Sequence, residues 1–333
     1  MKIKIIKIMN KRYLLLFALL VCCLSGTLAQ TEAEADSLRS GREKSLPFLT
    51  QDSALIYRKA HKDSLSVFKQ KTHELMGTLF KPDPQLRADS VFKAFDDTPS
   101  FGIYKNNYIT VGTTLFKTPT AYNSDAKFQI SVMQRLTNSV LPFRTYLFLT
   151  YTQLAYWNIF RESFPFGDIN FNPTLGIGRA LVYNNRFVGT LGLQLEHESN
   201  GKDGPDSRSW NKVSFMALLK FNRNWTFQTK AWIPIVDGNN NKDIVDYKGW
   251  GFMAVDFNHK SRYNIGLIVT KRGGSNLNAN VTLNCSFRIT PKSNQYLFLE
   301  YYNGYGEEML NYKEFRQRIR LGFVIKPNFL FFY

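Results

Sequence analysis

Phe187-Val188-Gly189-Thr190-Leu191-Gly192-Leu193-Gln194-Leu195-Glu196-His197 alternates in kind along its length. Phe187, Leu191, Leu193 and Leu195 stand on odd positions, and Thr190, Gly192, Gln194 and Glu196 on even ones. A period of two belongs to an extended strand with one apolar and one polar face. The pattern recurs outward from this stretch. In Ile319 to Ile325, Ile319, Leu321, Phe323 and Ile325 lie opposite Arg318, Arg320 and Lys326. In Leu277 to Phe287, Leu277, Val281, Leu283 and Phe287 oppose Asn278, Asn280, Thr282 and Asn284.

About twelve such segments follow residue 101, centred near residues 110, 131, 148, 174, 191, 214, 229, 252, 265, 281, 299 and 321. Turn-like sequences separate them, among them Tyr183-Asn184-Asn185, Phe221-Asn222-Arg223-Asn224 and Thr290-Pro291-Lys292-Ser293. Longer polar stretches, Ser199 to Ser207 and Asp237 to Asp246, alternate with the short turns. An even count of strands suits a closed antiparallel barrel, with short turns toward the periplasm and long loops outside. The expected fold is therefore all-β: a twelve-stranded antiparallel transmembrane β-barrel with an N-terminal, mostly helical periplasmic extension. A barrel of this size has its lumen largely filled by side chains.

The ends of the chain agree with export to a membrane. Lys2, Lys4, Lys7, Lys11 and Arg12 form a basic start, Tyr13 to Leu24 is apolar, and Thr27-Leu28-Ala29 offers a cleavage site. Residues 1–29 read as a secretory signal rather than an anchor, because the apolar run is shorter than the ~20 residues a spanning helix needs. Removing it takes Cys22 and Cys23 and leaves only Cys285, so no internal disulfide is expected. The net charge falls from +17 to +12, because five basic and no acidic residues leave. Export and barrel patterning make a basic lumen and anionic headgroups the expected counterparts of that excess, and nucleic acid is not an expected partner. Residues 30–98 differ from the rest: Leu55, Ile56, Leu65, Phe68, Leu75 and Leu79 fall at helical spacing. They read as a periplasmic extension, helical or a flexible tether, before a barrel domain at 99–333. The chain closes on Phe329-Leu330-Phe331-Phe332-Tyr333, an aromatic end suited to a membrane interface.

The alternation also aims three polar residues. Continuing the odd parity of Leu191, Leu193 and Leu195 puts His197 and Ser199 on the apolar, lipid-facing side. The next strand has Val213, Phe215, Ala217 and Leu219 on its apolar parity, and Asn211 shares it. Polar groups on a lipid face carry a free-energy cost, so three together at the rim call for a reason. Hydrogen bonding among themselves would offset the cost, and attack on a lipid would explain the place. Ser199 is the candidate nucleophile, His197 the general base, and Asn211 the group that orients the imidazole. Unlike Asp, Asn cannot neutralise an imidazolium. Singly, each residue also reads as a rim polar group at the headgroup level. Between these strands, Gly201, Asp203, Gly204, Asp206, Ser207 and Ser209 supply carbonyl, carboxylate and hydroxyl oxygens. Such hard ligands suit Ca²⁺, although the spacing fits no EF-hand and an ordinary polar loop reads the same way.

The segment His197–Asn211 resembles the active-site motif of the outer-membrane phospholipase A family, a family of twelve-stranded barrels. Tyr151-Thr152-Gln153, Ser163-Phe164-Pro165-Phe166, Asn170-Phe171-Asn172-Pro173, Asn303-Gly304-Tyr305-Gly306-Glu307 and Asn311-Tyr312 resemble further family motifs in the same order. The resemblance covers residues from about 101 to 333. It implies calcium-dependent hydrolysis of acyl esters at either glycerol position of phospholipids, and of lysophospholipids, in the bacterial outer membrane. It implies Ser199 as nucleophile, His197 as base, Asn211 as orienter and the Asn200 backbone amide as oxyanion donor. It implies Ca²⁺ on the Ser207 hydroxyl and the Lys202 carbonyl, with the Ser163 carbonyl from a second subunit. Gln153 matches a glutamine that pairs across the homodimer within the bilayer. Lys202 stands where the family usually has arginine, and Gly204 where it often has Asp, with Asp243 matching the other acid of a second calcium position. The competing expectation is a transport or structural barrel without activity, and a soluble β-sandwich hydrolase is a third.

Overall fold

In a computed structural model, residues 70, 74, 79 and 88–327 are described, apart from 237, 275 and 292. The expected signal at 1–29, nearly all of the helical spacing at 55–80 and the aromatic end at 329–333 lie outside the described residues. The strands all belong to one compact unit, His73–Tyr333. A helix, α1 (Ala88–Asp96), precedes thirteen strands. These are β1 (Phe101–Ile103), β2 (Asn107–Thr114), β3 (Ser124–Arg135), β4 (Thr145–Trp157), β5 (Phe166–Tyr183), β6 (Arg186–Ser199) and β7 (Ser209–Lys220). Then come β8 (Trp225–Ile235), a short helix α2 (Ile244–Lys248), β9 (Gly251–His259), β10 (Tyr263–Lys271), β11 (Ala279–Arg288), β12 (Gln295–Gly304) and β13 (Arg316–Ile325).

Each strand from β2 onward pairs antiparallel with the next, and β13 returns to pair with β2, from Ile325↔Asn107 to Arg318↔Thr114. The sheet is thereby closed, so no edge is left unpaired. β1 and β2 pair with the same side of β3, Phe101↔Gln134 and Tyr108↔Gln129. They are two halves of one interrupted strand, and the barrel has twelve. Each expected segment centre falls in a different one of the strands β2 to β13. The long connections 158–165, 200–208, 236–250 and 305–315 share one end, and the short turns at 184–185 and 221–224 share the other.

The two faces are those of a membrane barrel. Leu195 is 59% exposed and its neighbour Gln194 is 1% exposed, so the apolar side points out. Inside, the lumen is filled. Arg320 donates to Asp125 at 2.9 and 3.1 Å and to Glu307 at 2.6 Å. Lys127 bonds Glu300 at 2.8 Å and Glu307 at 3.3 Å. A second group joins Glu196 to Lys230 at 2.7 Å, and Glu198 to Lys212 at 2.8 Å and Lys248 at 2.9 Å. Charges this deep are tolerated because each finds a partner of the opposite sign.

The alternation fails at one place in the stretch that decides the fold. Phe187 does not share the outer face of Leu191. Leu181 pairs with Gly189 but Val182 pairs with Phe187, so Val188 is an extra, bulged residue and the parity inverts before it. Gly189 fits the bulge because a Cβ there would lie 1.9 Å from the Leu218 carbonyl oxygen. Phe187 turns inward and stacks on Phe95 of α1 at 5.9 Å between ring centroids. Leu79, Val91, Ala94 and Phe95 pack there with Tyr146, Phe148, Met216 and Leu218 from the strands. The last part of the N-terminal segment thus enters the lumen at the short-turn end. Arg135 fastens it, donating to the Phe95, Asp96 and Thr98 carbonyls at 2.9, 2.7 and 2.8 Å. The Phe95 and Asp96 carbonyls close the last turn of α1, and a guanidinium suits the negative end of its dipole.

Candidate active site

Pairing of β6 with β7 sets His197 directly across from Asn211 and Ser199 across from Ser209. The His197 Nδ1 and Asn211 Oδ1 atoms are 2.8 Å apart. A carbonyl oxygen only accepts, so Nδ1 carries the proton, and in the neutral imidazole the lone pair is then on Nε2. On the other flank, Asn172 of β5 donates from Nδ2 to the His197 carbonyl at 2.8 Å, and Phe171 pairs with Ser199. His197, Ser199 and Asn211 are all half-buried. They share the outward parity of Leu193, Leu195 and Val213, at the long-loop end.

Below them on the outer surface runs a groove of about 640 Å³, walled by His197 and Asn211 and otherwise almost wholly apolar. Leu149, Tyr151, Pro173, Leu175, Leu195 and Ile235 line it, and it extends toward Phe101. A hydrocarbon chain lying along the barrel meets mostly apolar surface there, with few polar groups to desolvate.

The loop from Asn200 to Arg208 is closed from within. The Asn200 Nδ2 donates to the Asp206 carbonyl at 2.9 Å, and its Oδ1 accepts the Arg208 amide at 2.9 Å. The Asn200 amide itself donates to the Arg208 carbonyl at 3.0 Å. The Asn200 amide, expected from the resemblance as an oxyanion donor, is thus engaged in closing the loop in this structure. The next amide, that of Gly201, makes no hydrogen bond among the described residues, and Gly201 is left-handed with φ +63° against the Phe171 ring. Lys202, Asp203 and Asp206 are exposed, and Ser207 is half-buried at the end of a 3₁₀ turn, Gly204–Asp206. Asn240 donates to the Gly204 carbonyl at 2.7 Å, so the loop before α2 braces this one. No group of three or more His, Cys, Asp or Glu side chains gathers among the described residues.

Ser163 sits in the connection from β4 to β5 at the same end, exposed and left-handed at φ +60°. It is not brought into the Asn200–Ser207 loop by any hydrogen bond among the described residues. Gln153 faces outward on β4, and its Oε1 accepts the Tyr151 hydroxyl at 3.1 Å. Asp243 accepts the Tyr312 hydroxyl at 2.5 Å and pairs with Lys313 at 2.6 Å. Burial alone would raise the Asp243 carboxyl, but the Lys313 and Tyr312 bonds outweigh it and hold the group below its ordinary range. Burial, then the Asp243 contact, pushes the Tyr312 hydroxyl up to about 12.

Residues 98–325 match the family described as phospholipase A1. The chain belongs to that family. The phospholipase A1 of Escherichia coli (strain K12) is 31% identical over 219 residues, covering 63% of this chain and 72% of that one. A putative phospholipase A1 of Neisseria meningitidis serogroup B is 26% identical over 209 residues, covering 60% of this chain and 54% of that one. Among solved structures, outer membrane phospholipase A from Escherichia coli superposes with a TM-score of 0.62 at 25% identity, over 69% of this chain and 100% of that one. The Salmonella typhi outer membrane phospholipase, a dimer with bound calcium, gives 0.61 at 24% identity, over 69% and 94%. At that identity the likeness is one of fold. Family and closed barrel together make this phospholipase A1 family member an outer-membrane protein.

Sequence reasoning assigned no role to Asn172 or Glu198, which the structure places beside His197. Glu198 carried a signal all the same. A carboxylate between two outward polar residues must point into the lumen, where it needs donors.

Proposed function

We propose that this chain is a phospholipase of the bilayer it spans, with Ser199 as nucleophile, His197 as general base and Asn211 as the group that orients the imidazole. Membership of the phospholipase A1 family supports the ester-hydrolase chemistry. One observation carries the assignment to residues: His197 Nδ1 lies 2.8 Å from Asn211 Oδ1 on the lipid face, with Ser199 two residues along the strand. The imidazole, with its proton on Nδ1, takes the Ser199 proton at Nε2 as Oγ attacks the acyl carbonyl. It returns that proton to the departing glycerol oxygen, leaving an acyl-serine and a lysophospholipid. Water, deprotonated by the same Nε2, then cleaves the acyl-serine to free fatty acid. Because the Asn200 amide is engaged with Arg208, the Gly201 amide takes the oxyanion role expected of Asn200 from the resemblance.

Ca²⁺ fits the donor chemistry of the loop. The Lys202 carbonyl and the Ser207 hydroxyl, with the exposed carboxylates of Asp203 and Asp206 close in sequence, are hard oxygen ligands. One chain offers few charged ligands there, which favours completion by a second copy through its Ser163 carbonyl. The Salmonella typhi relative is a dimer with bound calcium. When bound, the ion supplies positive charge to the oxyanion. Gln153, a polar side chain on the lipid face, is suited to pairing with its counterpart in that homodimer. The outward groove takes the acyl chain of the phospholipid substrate, and both glycerol positions and lysophospholipids are expected substrates.

The experiment is fatty-acid release from mixed micelles by detergent-purified protein. Wild type should be active with calcium and lose activity on chelation, and Ser199→Ala should be inactive. Equal release by the variant and the wild type would overturn the assignment.

A further inference from the structure

His197 and Ser199 point to lipid, and the residue between them points into the barrel. The Glu198 carboxylate is held there by three donors. Trp210 Nε1 donates to Oε2 at 3.0 Å and Lys212 Nζ to the same oxygen at 2.8 Å. Lys248 Nζ, from α2 in the long loop after β8, meets Oε1 at 2.9 Å. Trp210 and Lys212 are the neighbours of Asn211 on either side. The carboxylate therefore grips β7 immediately before and immediately after Asn211. On the other face of the same pair of strands, Asn211 meets His197. Trp210 is 1% exposed and stands edge-on to Trp232, so this grip is anchored in packed surroundings.

We propose that Glu198 is a positioning residue for the chemistry at Ser199, a proposal that rests on the Ser199–His197–Asn211 reading above. It acts through Asn211. By holding Trp210 and Lys212 on the lumen side, it keeps β7 level against β6, so that Asn211 Oδ1 stays within hydrogen-bond reach of His197 Nδ1. β-sheet registry alone fixes which residues face each other. A rim next to long loops still allows the strands to shear by fractions of an ångström, and orientation errors of about 1 Å cost on the order of a hundredfold in rate. Three charge-assisted or indole bonds on one carboxylate resist that movement. Glu196, held by Ser214 and Lys230, braces the same two strands two residues further from the rim.

The test is a double-mutant cycle of Glu198→Gln with Asn211→Ala, read as kcat and KM on mixed micelles. Glu198→Gln should lower kcat about tenfold with KM little changed, within the range that misorientation produces. In the Asn211→Ala background it should lower kcat no further. Equal effects of Glu198→Gln in both backgrounds would overturn the proposal while leaving the triad intact. Wild-type kcat in Asn211→Ala would overturn the triad reading, and this proposal with it. Glu300→Gln, in the other lumen network, should leave kcat unchanged. A loss there as large as that of Glu198→Gln means general weakening of the barrel and also counts against the proposal. If Glu198→Gln does not fold, Trp210→Phe enters the same cycle, because it removes one donor and keeps an aromatic ring.

Discussion

Replacing Asn211 by alanine removes its hydrogen bond to His197 and no charge, so the effect through His197 follows from that bond. The bond joins half-buried groups at 2.8 Å. Such a bond contributes about 1 kcal/mol net, and losing it frees the imidazole to rotate about χ1 and χ2. The tautomer with its proton on Nδ1 also loses its preference. About 1.4 kcal/mol is tenfold in rate, so Asn211→Ala should retain roughly a tenth of wild-type kcat. Ser199→Ala, which removes the attacking oxygen, should retain none of the covalent route. Asn211→Asp should not fall below Asn211→Ala, because a carboxylate accepts the same bond and stabilises the imidazolium. The assay is initial-rate fatty-acid release at saturating calcium, with protein amounts matched by heat-modifiable migration. Two results refute the reasoning: Asn211→Ala within twofold of wild type, or Asn211→Ala as inactive as Ser199→Ala.

Arg320→Met should cost about 3 kcal/mol of barrel stability, the low end of the range for breaking a buried ion pair, because Asp125 is left with only the 3.8 Å contact to Arg318 and Glu307 with Lys127 at 3.3 Å; denaturant unfolding in micelles measures it, and a change below about 1 kcal/mol would contradict the role given to the lumen network. The Asp243 carboxyl, held below its ordinary range, contributes stability that is present above its unfolded value near 4 and is lost as pH falls through its folded value. Hydrogen exchange in the 236–250 and 305–315 loops should therefore quicken in acid below about pH 4, and Asp243→Asn should abolish that dependence.

Most of the barrel was legible because a period of two, repeated twelve times, has one strong reading. What escaped was whatever depends on a partner strand. The Val188 bulge breaks no local rule, since Phe187 and Leu191 both sit on odd positions. Only the pairing of Leu181 with Gly189 and of Val182 with Phe187 reveals the extra residue. The lumen end filled by α1 was hidden for a related reason. Met216 and Leu218 lie on the parity of Ser214 and Lys212, and an apolar residue on the inner face has meaning only once something apolar is there to meet it. At the site, outward parity placed His197, Ser199 and Asn211 correctly on one face. The engagement of the Asn200 amide with Arg208 was not legible because it belongs to the closure of a nine-residue loop, and no residue type announces it.

The lumen also weighs on the competing idea of a transport barrel. Conduction needs a continuous wet path, and the short-turn end is filled by the aromatic cluster around Phe95, Tyr146, Phe148 and Phe187. Above it, ion pairs cross the barrel, and the spaces beside them are two adjoining cavities of about 240 and 270 Å³ that share Gln129, Leu154 and Lys248 in their walls. Opening a path means separating buried charges from their partners, at several kcal/mol for each. The same interior serves catalysis well. A reaction on the outer wall needs β6 and β7 fixed relative to each other, and a wall one strand thick has no packing behind it unless the lumen provides it. Filling the lumen with ion pairs that connect β6, β7, β8 and α2 supplies that backing. The charges that would obstruct a pore are, on the proposed reading of Ser199, His197 and Asn211, the support for an active site on the barrel's outer surface.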